Sequence, residues 1–342
     1  MTTMEDRRGP ARVRKTCEET SRCARAVRVD EDAVRRFVDE LSETDVSRLR
    51  AGASGFDGEW VSHGVAAIRE AEGVTEERLA MYTLCVDAMN FCFWPDHSDG
   101  ETLKLEYEHL TAGWRRALER EDEFGDLLDA RRLSEITGEE LRALMKWPRP
   151  LPNEEERVRL LREVGYGLVE HFDGSCAALI RAANGSAGRL VDLVVMYFPG
   201  FRDESVYKGR QVFLYKRAQI FVADVWGTWK AAGLGAFQDI SQLTMFADYR
   251  VPVTLREVGI LTYSEELRVK IENKVEIPSH SEEEIEIRAC TVHAVELIKK
   301  RFAEQYGQEI CSIVVDWLLW EKGEAKRETS IEPHHRTLTI FY

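Results

Sequence analysis

Four aspartates stand inside runs that are otherwise apolar or aromatic: Asp87 in TLCVDAMNFCFW, Asp224 in IFVADVW, Asp248 in LTMFADYRVP and Asp316 in SIVVDWLLW. A buried carboxylate without a partner costs several kcal/mol, so each of these needs a partner or a chemical task. Asp224 has a candidate cation in Arg217, seven residues earlier on roughly the same helical face, and structural pairing is expected there. Asp316 has no cation three or four residues away, so its partner comes from elsewhere in the chain or from a ligand. A carboxylate in an apolar pocket suits paired N–H donors, such as the N1–H and exocyclic amine of a guanine-type ring. Asp248 lies where one helix is expected to end and another, marked by Pro252, to begin. Two readings stay open: a helix cap, or an anion that a helix N-terminus keeps ionised at neutral pH for chemistry.

The neighbours of these acids extend the choice. Phe246 and Tyr249 can stack on a base or fill core, and Arg250 can hold a phosphate or pair with an acid. Lys216 and Arg217 form a compact cationic group that could neutralise one phosphate or make ion pairs on a helix surface. Phe91-Cys-Phe-Trp94, with Asn90 as a polar handle, reads as core packing or as aromatic surface for a ligand. His63, between Trp60-Val-Ser and Gly64, is a surface histidine or a ligand contact.

Metal chemistry is not expected. Eight histidines show no HExxH spacing, and the adjacent His334 and His335 make a poor shared site. Seven cysteines form no CxxC pair and mostly lie in apolar segments, which suits reduced, buried thiols in a cytoplasmic protein without metal or cofactor. The net charge of −14 disfavours a polyanionic partner, because affinity for nucleic acid comes largely from cations neutralising phosphates. A small substrate carrying one phosphate remains compatible. No apolar window reaches the ~18 residues needed to cross a bilayer. The cationic first 28 residues lack the apolar stretch of a secretory signal. Residues 1–22 are expected to be a disordered leader and 23–342 a single domain.

The elements that would position these residues are mainly helices. Capping signals at Asp30 or Asp32, Thr75, Thr137-Gly-Glu-Glu140, Asn153-Glu-Glu-Glu156 and Ser281-Glu-Glu-Glu284 predict helix starts, and a further helical segment follows Ser62-His63. The apolar run Phe213 to Lys230 predicts a central buried helix, and Asp239 to Gln242 a cap for a helix leading into LTMFADYRVP. Alternation over Leu103 to Thr111 predicts a strand, as does Thr337 to Tyr342.

The segments FLYKRAQIFVADVW, FQDISQLTMFADYRVP, NFCFW and HRTLTIFY resemble the queuosine salvage protein family, over about Cys23 to Tyr342. The resemblance implies a mainly helical fold, distantly similar to helix-hairpin-helix DNA glycosylases, with a few short strands. It implies an N-glycosidase that releases queuine from queuosine 5′-monophosphate. It places Asp248 as nucleophile or transition-state stabiliser, Phe246, Ala247 and Tyr249 along the base site, and His63 and Asp316 at base-binding positions. Lys216 and Arg217 carry over as candidate phosphate or structural residues. A queuine-binding carrier without catalysis is the alternative, and an enzyme excising bases from nucleic acid is disfavoured by charge.

Overall fold

The computed structural model describes residues 9–52, 74–94, 104–119, 125–326 and 332–342. It is mainly helical, with two small antiparallel ribbons. The chain opens with α1 (Gly9–Cys23), β1 (Val27–Val29), α2 (Glu31–Asp39) and α3 (Glu43–Ala51). Next come α4 (Glu76–Ala88), α5 (Tyr107–Glu119), α6 (Ala130–Leu133), α7 (Gly138–Met145), α8 (Glu154–His171), α9 (Cys176–Ala182) and α10 (Ala187–Tyr197). A hairpin, β2 (Glu204–Tyr207) and β3 (Arg210–Phe213), leads into α11 (Lys216–Thr228). Beyond it lie α12 (Val251–Glu257), β4 (Leu261–Tyr263), α13 (Glu265–Glu272), α14 (Glu282–Tyr306) and α15 (Ser312–Ala325).

Caps start most of these helices where the side chains allow it. Asp30, Thr75, Thr137 and Ser281 each accept an amide from the first turn, and Thr137 with Glu140 closes a reciprocal capping box. Asn153 does not cap: it sits at φ 53° and its side chain makes no capping bond.

Two helices organise the core. The 25-residue α14 carries buried residues on nearly every face and packs against α1, α2, β1, α12 and α15. α11, likewise buried on nearly every face, packs between α4 and α10. Close approach elsewhere needs glycine: a Cβ on Gly165 of α8 would lie 2.5 Å from the Ala130 carbonyl and the Ser134 amide nitrogen.

Several expectations change. Residues 9–23 form α1, in which Val13, Cys17 and Thr20 make an i, i+4, i+7 stripe buried against α14. Just after α1, Glu286 Oε2 accepts the amides of Arg25, Ala26 and Val27, at 2.8, 2.6 and 3.1 Å. The strand expected over 103–111 is helix from Tyr107, because Leu110, Trp114 and Ala117 sit at helical spacing and bury together. The segment entering LTMFADYRVP is a single 3₁₀ turn, Ile240–Gln242, followed by an irregular stretch rather than a helix. Residues 337–342 form no strand; Arg336 makes an isolated bridge with Glu276.

Candidate active site

The irregular stretch 243–249 crosses between α11 and α15, and hydrogen bonds from several elements fix its path. Gln219 of α11 donates from Nε2 to Thr244 Oγ1 (2.8 Å) and accepts the Thr244 amide (2.9 Å). Asp316 of α15 accepts the Phe246 amide at 3.0 Å. Arg288 of α14 donates from Nε to the Ala247 carbonyl at 3.0 Å. With both flanks held, Asp248 projects at the turn into α12. Its Oδ1 accepts the amides of Arg250 and Val251, each at 3.0 Å, and so satisfies two donors at the start of that helix. Among the described residues its Oδ2 takes no hydrogen bond.

The charge of Asp248 acts on Lys216, the first residue of α11. Tyr215 before it turns the chain in the left-handed region (φ 52°), and Asp203 Oδ2 accepts the Lys216 amide at 3.1 Å. The Lys216 ammonium is buried and donates to the Asn90 carbonyl (2.8 Å) and to Asn90 Oδ1 (3.2 Å). An ammonium has three N–H donors, so one remains. Among the described residues it forms no ion pair within 4.0 Å, although the Asp248 and Asp87 charges act on it.

The charges of these groups are set mainly by burial. It pushes Lys216 down to about 8, against the pull of Asp248 and Asp87. Burial also raises Asp248, opposed by the Val251 amide, the Lys216 charge and the Arg250 amide. The start of α12 therefore favours the anion as expected, but desolvation outweighs it. Asp316 is raised further, by burial and then by the Asp248 charge, which favours a neutral acid able to donate as well as accept. Behind Lys216, Asp87 is lifted by burial to about 7, and Asp224 is pushed up by burial and by Asp87.

Phe246, Ala247, Asp248 and Tyr249 thus share one stretch, Asp316 is tied to it through the Phe246 amide, and the charges of Asp248, Asp316 and Lys216 act on one another. Tyr249 lies 4.7 Å from the His334 ring, centroid to centroid. His63 lies outside the described residues. Arg217, 1% exposed, turns away from Asp224 and donates to the carbonyls of Ala88 (2.7 Å) and Gly200. The expected Asp224–Arg217 pairing is thus replaced by an acid pair, Asp224 with Asp87, across the α4–α11 contact. Arg250 is paired with Glu324 at 3.2 Å.

Three supporting residues escaped the sequence reading. Arg157, fully buried, donates to the carbonyls of Pro152, Met89, Phe91 and Cys92 and stacks 4.3 Å from the Phe91 ring, which shapes the turn carrying Asn90. Arg288 and Asp203 are the others. Arg288 lies in EIEIRACTV, where Glu284 and Glu286 alternate with isoleucines, so the isolation that marks the four aspartates does not single it out.

A carboxylate under the influence of a buried ammonium, with aromatic residues on its own stretch and a protonatable acid bonded to that stretch, can stabilise cationic charge developing on a sugar while gripping a flat polar base. That is the chemistry of N-glycoside cleavage. The chain belongs to the queuosine salvage protein family, whose profile, described as "Queuosine salvage protein", matches residues 71–342. It is 44% identical over 331 residues to a Dictyostelium discoideum protein named queuosine 5′-phosphate N-glycosylase/hydrolase, covering 96% of this chain and 98% of that one. Proteins of the same name from Sphaerobacter thermophilus (42% identity; 78% of this chain, 82% of that one) and Mus musculus (35%; 93% and 95%) are also similar.

Proposed function

We propose that this chain hydrolyses the N-glycosidic bond of queuosine 5′-monophosphate, releasing queuine and ribose 5-phosphate. The observation that supports this reading is the mutual electrostatic influence of the buried groups Asp248, Lys216 and Asp316, in a chain whose relatives bear that activity in their names. The C1′–N9 bond breaks with its electron pair going to the base. Water adds its oxygen to C1′; one of its protons ends on the base nitrogen and the other stays on the new anomeric hydroxyl. Queuine has carbon where guanine has N7, so leaving-group protonation there is closed, and more of the catalysis must come from the sugar side. In this reading Asp248 takes that role through Oδ2, the oxygen not used by the α12 amides. Asp316 and the walls of Phe246, Ala247 and Tyr249 hold the base, with His63 as a further base contact. The third N–H of Lys216 serves a substrate oxygen, and Arg217 and Arg250 act as supports.

The substrate is small, in keeping with a net charge of −14 that disfavours a nucleic-acid partner. No helix among the described residues is long and apolar enough to cross a membrane. Work in the cytoplasm, where thiols stay reduced, suits seven unbridged cysteines. With α1 packed on α14, residues 9–342 act as one catalytic unit. Incubation with queuosine 5′-monophosphate followed by chromatography tests the proposal: free queuine and ribose 5-phosphate should accumulate over many turnovers. Stoichiometric binding with the nucleotide recovered intact would instead establish a carrier.

A further inference from the structure

We infer that Arg288 and Asp203 form a positioning pair that sets the separation between Asp248 and Lys216; this rests on the catalytic reading above. The two catalytic residues share no hydrogen bond with each other, and although Gln219 ties α11 to Thr244, their own peptides are connected by a different route. What joins them is a buried fork. Arg288 Nη1 and Nη2 donate to Asp203 Oδ1 (2.9 Å) and Oδ2 (2.6 Å). The same guanidinium donates from Nε to the carbonyl of Ala247, whose peptide bond leads into Asp248. The same Asp203 Oδ2 accepts the amide of Lys216. Three consecutive hydrogen bonds thus run from the peptide of one catalytic residue to the peptide of the other.

The surroundings leave this fork little freedom. Both residues are 1% exposed. Glu284 Oε1 takes a further Arg288 N–H at 3.3 Å, and the Tyr342 ring lies 4.1 Å from the guanidinium carbon. The Asp203 carbonyl accepts the amides of Leu214 and Tyr215, at 3.0 and 3.2 Å, in the turn that launches α11. A planar two-armed guanidinium transmits direction as well as distance, which an ammonium cannot copy. Stability alone does not call for such a pair, because well-packed apolar residues often replace buried ion pairs at no cost. Catalysis does call for it: a misplacement of about 1 Å can cost about a hundredfold in rate. The base side is anchored independently, through Asp316 and the Phe246 amide.

The test compares wild type, Arg288→Lys, Asp203→Asn and the apolar pair Arg288→Met/Asp203→Leu, with Asp248→Asn alongside. Single-turnover queuine release, affinity for free queuine and thermal midpoint are measured on the full chain. Arg288→Lys and the apolar pair should fold, bind queuine within about threefold of wild type, and release it about a hundredfold more slowly. Asp203→Asn, which keeps the Lys216 contact, should lose about tenfold. Folded variants releasing queuine at the wild-type rate would overturn the inference, as would rate and affinity falling together in proportion to the folded fraction. If none of the variants folds, the pair is a stability element and the inference fails. Turnover retained by Asp248→Asn would overturn the catalytic reading, and this inference with it.

Discussion

Replacing Asp248 by Asn removes the charge and leaves the geometry. The two amides bound by Oδ1, from Arg250 and Val251, can bond the Asn carbonyl oxygen instead, so the start of α12 keeps its cap. Burial raises the Asp248 carboxyl above its ordinary value, which means that the folded state binds its proton more tightly than the unfolded chain. The ionised residue therefore costs stability once the pH exceeds its unfolded value, and Asn lifts that cost. The thermal midpoint at neutral pH should stay level or rise. The chemical step behaves oppositely. A carboxylate about 3.5 Å from a developing sugar cation, at an effective dielectric near 20, contributes about 5 kcal/mol. Losing it should slow single-turnover queuine release by about three to four decades, with nucleotide affinity within about threefold. Asp248→Ala, in contrast, should also lose about 1 kcal/mol of stability with the cap. Single-turnover release under enzyme excess, alongside calorimetry, reads both quantities. An Asn variant within tenfold of the wild-type rate would refute the catalytic role, and one that melts well below wild type would refute the claim that geometry survives.

Asp316→Ala should weaken binding of free queuine by about tenfold or more, measured by titration calorimetry, because a buried base edge loses its partner. The rate against pH should rise as Asp248 ionises and fall as Lys216 loses its proton near 8; Lys216→Arg, which stays charged, should remove the alkaline fall while lowering the maximum. Asp87→Asn should stabilise the fold at pH 8 but not at pH 4. The folded carboxyl, raised to about 7, penalises folding as pH climbs from its unfolded value toward 7, by at most about 4 kcal/mol, and melting curves at the two pH values read the difference. Arg157→Met should cost about 3–5 kcal/mol by denaturant titration, since four carbonyls lose their donor.

The helices were legible where a cap and an apolar stripe coincide, as at Ser281 and Thr137. The misreadings have local causes. In residues 103–111 a short alternation of Leu with Glu and Lys mimics a strand, and only the later Leu110–Trp114–Ala117 spacing reveals the helix. In α1, cations hide a stripe of just four buried side chains, Pro10, Val13, Cys17 and Thr20. The site was legible through its aspartates, because a charge inside an apolar run stands out against composition. Its supports were not: Arg157 lies in ERVRLLRE, where nothing separates a buried arginine from the exposed Arg159 nearby. The pairing of Asp224 was misjudged for a related reason. Sequence distance places Arg217 on its face, but tertiary carbonyls from Ala88 and Gly200 claim that guanidinium, and α4 brings Asp87 to Asp224 instead.

On the proposed mechanism, cap and catalyst are not competing readings of Asp248. A helix end needs acceptors for its first amides, and one carboxylate oxygen serves two of them here. The second oxygen is then fixed in direction by the first, because the carboxylate is planar and its Oδ1 is held at two points. A side chain dedicated to catalysis alone would have to lose rotamer freedom when substrate binds. This one loses it on folding, so its orientation is prepaid before the nucleotide arrives. Lys216 follows the same logic: Asn90 takes two of its three N–H donors, and the third is aimed by the other two. The site's directionality thus comes from ordinary structural bonds, each spending part of a polar group on the fold and leaving the remainder oriented for chemistry.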